Sequence, residues 1–422
     1  MSELAQYLKN LQERTFRLYG TPPRTNLDRP SRVLAMSQAL MLNGIPAVDP
    51  LFKELLAAQI RQLDEAEQLL PTPYEDANWY GVLMRAVANV QQAIPSVFPS
   101  YDVKSHQVLF GTLRSGNVSA TSMRIDGVDG HLIVVEDGLF LFAHLMAKVF
   151  AAAWPVSSTD RGTATFSYDD DSIRSQIAAK KELTECFFDV LHAYIVLGHP
   201  GEAKPYFMDA ETGLVASFLT TAFEHFVVAH EYSHLLLGHL DSADDLVKSV
   251  GLLPLDEGMS AMQYSWEQEF AADQLGLLLT MVCMQEAQLS FPTGYGGAVM
   301  FMICRGIVEK SVDIIRHGQE IGFAVTILDS PGEGPGLSVP AYPPIDKRCD
   351  VIRNLIQQKY PEHFEEITSL ELGIKSAAAE LFKQIRPRLL KMHEDGVQLA
   401  HSWRWDWDHQ PGISIGLSDS RS

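Results

Sequence analysis

The chain has 422 residues, 46% of them hydrophobic, enough to bury a substantial core in one large or two closely packed domains. Lys+Arg 33 against Asp+Glu 53 gives a formal charge of −20, which argues against non-specific nucleic-acid binding and adhesion to anionic membranes, and favours a basic peptide as ligand. Cys186, Cys283, Cys304 and Cys349 form no close pair, so neither a disulfide framework nor a structural zinc knuckle is expected.

From the N-terminus, Met1 to Tyr7 lack the basic start and apolar run of a secretory signal, and a cytoplasmic location is expected. Amphipathic spacing predicts helices over 3–15 and 48–70, and prolines 71, 73, 95 and 99 bracket another over about 76–93. Between 106 and 135 the period shortens. Val108–Phe110, Asn117–Met123 and His131–Val135, separated by glycine-containing turns, predict three short strands in a small antiparallel sheet. Gly138 to Trp154 is strongly apolar but ends at Pro155 and contains His144 and Lys148, so it reads as a buried core helix, and no transmembrane segment is expected.

Further helices are expected over 175–198, 212–238, 260–286, 295–317, from Asp346 to about Lys359, and over 362–394. The acidic stretch Ser242–Asp256 reads as a connection with room to shape a cleft, and the glycine-rich stretch Ser330–Gly336 as a loop, either plain surface or a lid or wall on the substrate side. In the tail, Trp403, Trp405 and Trp407 alternate and would line one face of an extended segment, a docking surface for the body of the protein or for a protein partner.

The chemistry lies in residues 230–234, His-Glu-Tyr-Ser-His, within an apolar run free of Pro and Gly. Four helical residues advance about 400° and 6 Å, so His230 and His234 share a face while Glu231 lies about 100° round. Two imidazoles that can share zinc, with a carboxylate beside them, are the minimum apparatus for hydrolysing an amide. The bland alternative is a pair of satisfied core histidines. Downstream, Glu269 and Asp273 are again one helical turn apart. Glu269 can complete a His-His-Glu shell, and Asp273 can accept the proton on the far nitrogen of a ligating histidine. Glu267 sits on nearly the opposite face, His239 follows the helix end expected at Gly238, and His225 is about 140° off the face of His230.

With these residues in view, His230-Glu231-x-x-His234, Gly238-His239 and Glu269-x-x-x-Asp273 together resemble the gluzincin zinc metallopeptidases, in particular the heat-shock membrane protease and CAAX prenyl endopeptidase branch. Leu132 to Leu139 resembles the strand and helix start that precede the zinc helix in that family, and Tyr342-Pro-Pro-x-x-x-Arg348 resembles its His-Pro-Pro-x-x-x-Arg element, with Tyr342 where the family places a histidine. The resemblance covers roughly 131–348, interrupted by an insertion at about 155–224. It implies a zincin-like core; with the helices and strands expected above, the chain is expected to have an α+β, mainly helical fold in three regions: N-terminal helices (1–100), a metallopeptidase domain (101–360), and a C-terminal helix with the tryptophan tail (361–422).

The expected activity is hydrolysis of a peptide bond in a peptide or protein substrate by metal-activated water. Zinc (Zn2+) is the cofactor, His230, His234 and Glu269 the ligands, and Glu231 the general base. Asp273 and Arg348 support the ligands, Tyr342 or His225 would face the oxyanion, and one strand of the sheet would either hold an extended substrate or simply cover the core. The alternative function is a non-catalytic or latent protein that keeps the same fold to bind or regulate.

Overall fold

The computed structural model describes residues 2–19, 29–42, 45–99, 107–125, 127–158, 164–240, 266–320 and 343–400. The fold is mainly helical with a small mixed sheet. The chain begins with α1 (Glu3–Tyr19), α2 (Arg29–Leu42), α3 (Pro50–Leu69) and α4 (Ala77–Val97), then β1 (Val108–Leu113), β2 (Ala120–Arg124) and β3 (His131–Glu136). Next come α5 (Asp137–Ala153), the small hairpin β4 (Val156–Ser158) and β5 (Ala164–Phe166), α6 (Asp170–Ala179) and α7 (Lys181–His192). The long helices α8 (Ala210–Leu236), α9 (Trp266–Glu286), α10 (Phe291–His317), α11 (Ile345–Lys359) and α12 (Phe364–Glu394) complete it. Helix α2 was not expected from the sequence, and the helix expected over 175–198 is broken at Lys180 into α6 and α7.

The sheet corrects the expectation of an antiparallel arrangement. Its order is β1-β3-β2, with β1 parallel to β3 and β2 antiparallel to it. The reason lies in β3, all six residues of which are buried. A strand covered on both faces belongs in the middle, so the chain carries β2 past that position to the outer edge before β3 enters. Alternation along β3 then serves two cores: Leu132 and Val134 pack with Leu4, Leu8 and Leu11 of α1, while Ile133 and Val135 join the main core.

Helix α8 is the axis of the main core. Asp209 caps it by accepting the Thr212 N–H at 2.8 Å, and its apolar residues run round every side. Among the described residues it is the one helix long and apolar enough to cross a membrane, but 61% of its apolar window is buried inside the molecule. Helices α4, α5, α9 and α10 and strand β2 all pack on it. The main core takes residues from α4 at one end of the chain and α12 at the other, as well as from the centre.

Close helix contact needs glycine. At Gly297 of α10 an added Cβ would lie 2.4 Å from the backbone carbon of Ala222 on α8 and 2.6 Å from the Phe223 nitrogen. Those atoms belong to a packed helix and cannot rotate away. Gly297→Ala is expected to destabilise the protein by about 1–3 kcal/mol, measured as a lowered midpoint in chemical denaturation.

Candidate metal centre

Residues 225–236 of α8 are buried almost without interruption, the motif with them: exposure is 6% for His230, 9% for Glu231, 0% for His234 and 1% for Glu269. One turn apart, the two imidazoles direct Nε2 at Nε2, 3.2 Å apart. From α9, Glu269 places Oε2 3.6 Å from His230 Nε2 and Oε1 3.6 Å from His234 Nε2. Among the described residues this is the one trio of His, Cys, Asp or Glu whose ligand atoms come together closely enough to hold an ion.

Helix α9 reaches α8 along a stripe of Glu269, Ala272, Asp273 and Gly276, the i, i+3, i+4, i+7 positions of one helical face. Gly276 makes the approach possible, since a Cβ there would lie 3.0 Å from both the Cα and the nitrogen of His230. Glu269 is therefore delivered to the two imidazoles by the tight crossing about two turns away. Glu267, on the other face, is exposed.

Around the trio stands a second set of contacts. Asp273 Oδ1 lies 3.0 Å from His230 Nδ1, a close ion-pair contact whose alignment falls short of a hydrogen bond. The same carboxylate receives the fully buried Arg348 from α11, Nε to Oδ2 at 2.7 Å and Nη2 to Oδ1 at 2.5 Å, a bidentate pair. Arg348 Nη2 also approaches Glu269 Oε2, at 3.7 Å, too far for a hydrogen bond, and that buried oxygen receives no hydrogen bond from the described residues. Burial would raise the Asp273 pKa, but Arg348 outweighs it and holds the carboxyl below its ordinary value. Burial opposes charge on His230 too, yet Asp273 and Glu269 leave its pKa raised, whereas burial and the neighbouring His230 and His239 put His234 well below the usual value.

Glu231 is held from the edge strand. Its Oε2 accepts both the backbone N–H of Ser122, at 2.8 Å, and the Ser122 hydroxyl, at 2.9 Å. Burial pushes its pKa up to about 7 despite these donors. Alternation explains the contact. Glu136 N–H bonds Ser119 O, so odd-numbered residues of β2 pair with β3 and Ser122 points its N–H outward.

The remaining expected residues divide. His225 is not aimed at the trio: Nδ1 lies 2.7 Å from Thr221 O and must donate to it, leaving Nε2 to accept from Asn89 Nδ2 of α4 at 2.9 Å. Neither nitrogen has a proton left for an oxyanion. Tyr342, Ser242–Asp256, Ser330–Gly336 and Trp403, Trp405 and Trp407 lie outside the described residues. The sequence reading missed Ser122, Gly276 and the role of His239, whose Nδ1 lies 2.9 Å from His234 Nδ1. Only Gly276, three residues past Asp273 and seven past Glu269 on the same face, left a periodic signal.

No protein-family model, curated protein or solved structure matches the chain.

Arg348 carries a consequence for stability that needs no metal. Its removal strands the Asp273 carboxylate at 0% exposure. Arg348→Met, close in length but uncharged, is expected to destabilise the metal-free protein by about 3–5 kcal/mol, measured by denaturant titration in a chelating buffer.

Proposed function

We propose that the protein is a zinc-dependent endopeptidase of gluzincin type. The observation that carries this reading is the spacing of His230 Nε2, His234 Nε2 and the Glu269 carboxylate, 3.2 to 3.6 Å between neighbours. Tetrahedral ligands held at roughly 2.0–2.1 Å from zinc stand about 3.3 Å apart. Two imidazoles and one carboxylate are also the donor set of zinc hydrolases that keep an open position. Glu269 Oε2, buried and lacking a hydrogen-bond donor among the described residues, fits the same assignment, since a buried carboxylate oxygen without a partner is costly.

Zinc, when bound, supplies the Lewis acidity that makes water nucleophilic and polarises a carbonyl. The protein's own groups do the rest. Glu231 sits next to the first ligand and binds Ser122 through Oε2 alone, which leaves Oε1 to take a proton from attacking water and return it to the leaving amine. Asp273 orients the His230 ring, and Arg348 fixes Asp273. Strand β2, at the edge of the sheet and against α8, is the element suited to pairing with an extended peptide. The Ser122 N–H on that edge already binds Glu231, so base and peptide platform form one unit.

A second reading, a latent enzyme or a binding protein on the same scaffold, draws on burial: neither His230 nor Glu231 exceeds a tenth of its surface exposed. A base has no use in a purely structural metal site, and for that reason the hydrolytic reading stands first.

Substitution separates the roles. Glu231→Gln is expected to retain one equivalent of zinc and to lose about 10²–10⁴-fold in cleavage of a peptide library, whereas His230→Ala loses both metal and cleavage. Zinc content by elemental analysis alongside cleavage by mass spectrometry gives the answer, and undiminished turnover in Glu231→Gln with zinc in place would sink the assignment.

A further inference from the structure

The two histidines of the motif are supported unequally. His230 directs its Nδ1 at a carboxylate, Asp273, which is itself paired with Arg348. His234 directs its Nδ1 at another imidazole, Nδ1 of His239, at 2.9 Å. His239 comes from the chain that leaves α8, not from a packed neighbouring element.

The backbone explains how it returns. Helix α8 ends at Leu236, and Gly238 takes φ 72°, the left-handed conformation that side chains with a Cβ resist. His239 N–H bonds His234 O at 2.9 Å and Gly238 N–H bonds Leu235 O at 3.0 Å, the paired bonds of a Schellman turn. This reversal carries the His239 ring back over the last turn of the helix, where it meets the ring of His234 with centroids 5.1 Å apart. Gly238 and His239 thus form one device: the glycine turns the chain, and the histidine fills the place to which it turns.

Proton placement gives the device a role. Between two nitrogens 2.9 Å apart, one donates and the other accepts. If His239 donates, the proton of neutral His234 sits on Nε2, the nitrogen that faces His230 and Glu269. If His239 accepts, His234 carries its proton on Nδ1 and its Nε2 lone pair is open to a metal. We infer that His239 is a positioning residue that accepts the Nδ1 proton of His234 and thereby holds that ring, in orientation and tautomer, as a metal ligand. The inference rests on the zinc reading above.

Asp273 and His239 then differ in strength. A carboxylate acceptor makes a charge-assisted bond and raises the basicity of its histidine, while a neutral imidazole acceptor chiefly fixes geometry and tautomer. His239 is the more dispensable of the two supports, and its loss should weaken zinc less than loss of Asp273, the partner of His230.

Zinc affinity of the full chain, measured by competition with a chromophoric chelator, tests this without reference to turnover. His239→Ala is expected to bind zinc about tenfold more weakly than wild type, and Asp273→Ala more weakly still. His239→Asn, whose side-chain carbonyl can accept the same proton, should recover most of the loss, and the melting temperature of the metal-free His239→Asn protein should match that of wild type. Wild-type affinity in His239→Ala would overturn the role of His239 and leave the zinc site standing. Equal weakening in the Ala and Asn variants would overturn the acceptor role. A wild-type chain that takes up no zinc would overturn both this inference and the proposed function.

Discussion

The buried pair between Asp273 and Arg348 is the constraint on which the centre depends. An aspartate at 0% exposure loses several kcal/mol of hydration, and a single salt bridge rarely recovers this unless its hydrogen bonds are well made. Here both carboxylate oxygens are engaged by one guanidinium, and Oδ1 also meets His230. Three helices, α8, α9 and α11, are therefore fixed to one another at a single carboxylate. Helix α11 is set for this by Pro344, whose carbonyl accepts the N–H groups of Lys347 and Arg348 in the first turn. The stability lent by Asp273 is present at neutral pH and is lost as the pH falls through its depressed pKa, because the unfolded chain then binds its proton first.

The same pair shapes the electrostatics of the trio. Arg348 satisfies Asp273 and comes no nearer than 3.7 Å to Glu269, so it forms no hydrogen bond with the trio. Glu269 stands among imidazole nitrogens, with Oε2 lacking a donor among the described residues. A dication is the simplest partner for that arrangement, since it would satisfy the lone pairs that face inward from all three side chains together.

Legibility in the sequence followed periodicity. The His-Glu-Tyr-Ser-His run and the Glu269, Asp273 pair were readable because helical spacing alone puts each pair on one face, and their meeting needed only two helices in contact. Strand positions were readable from the change of period, but sheet order was not: the alternation of one strand does not say which neighbour it takes. The six buried residues of β3 held the only clue to its central place. Helix α2 begins Arg-Pro and is weakly patterned, and the break between α6 and α7 falls at Lys180, with neither Gly nor Pro to mark it. The partner of His225 is Asn89 on a distant helix, a tertiary contact that no spacing reveals.

A polar motif inside an apolar helix sets a condition of its own. Each buried polar group between 230 and 234 must find a partner, and the apolar neighbours on α8 offer almost none. His230 finds Asp273 on α9, Glu231 finds Ser122 on β2, and His234 finds His239 in the turn that follows, while Ser233 bonds back to Ala229 O at 2.7 Å. No one element supports two of the three motif side chains. Edge strand, partner helix and helix-ending turn must all be in place before the motif is satisfied, so the centre is assembled by the finished tertiary structure and not by α8 alone. This also explains why the motif tolerates such depth: His230, Glu231 and His234 each meet a polar partner from outside the helix, and Ser233 is satisfied within it.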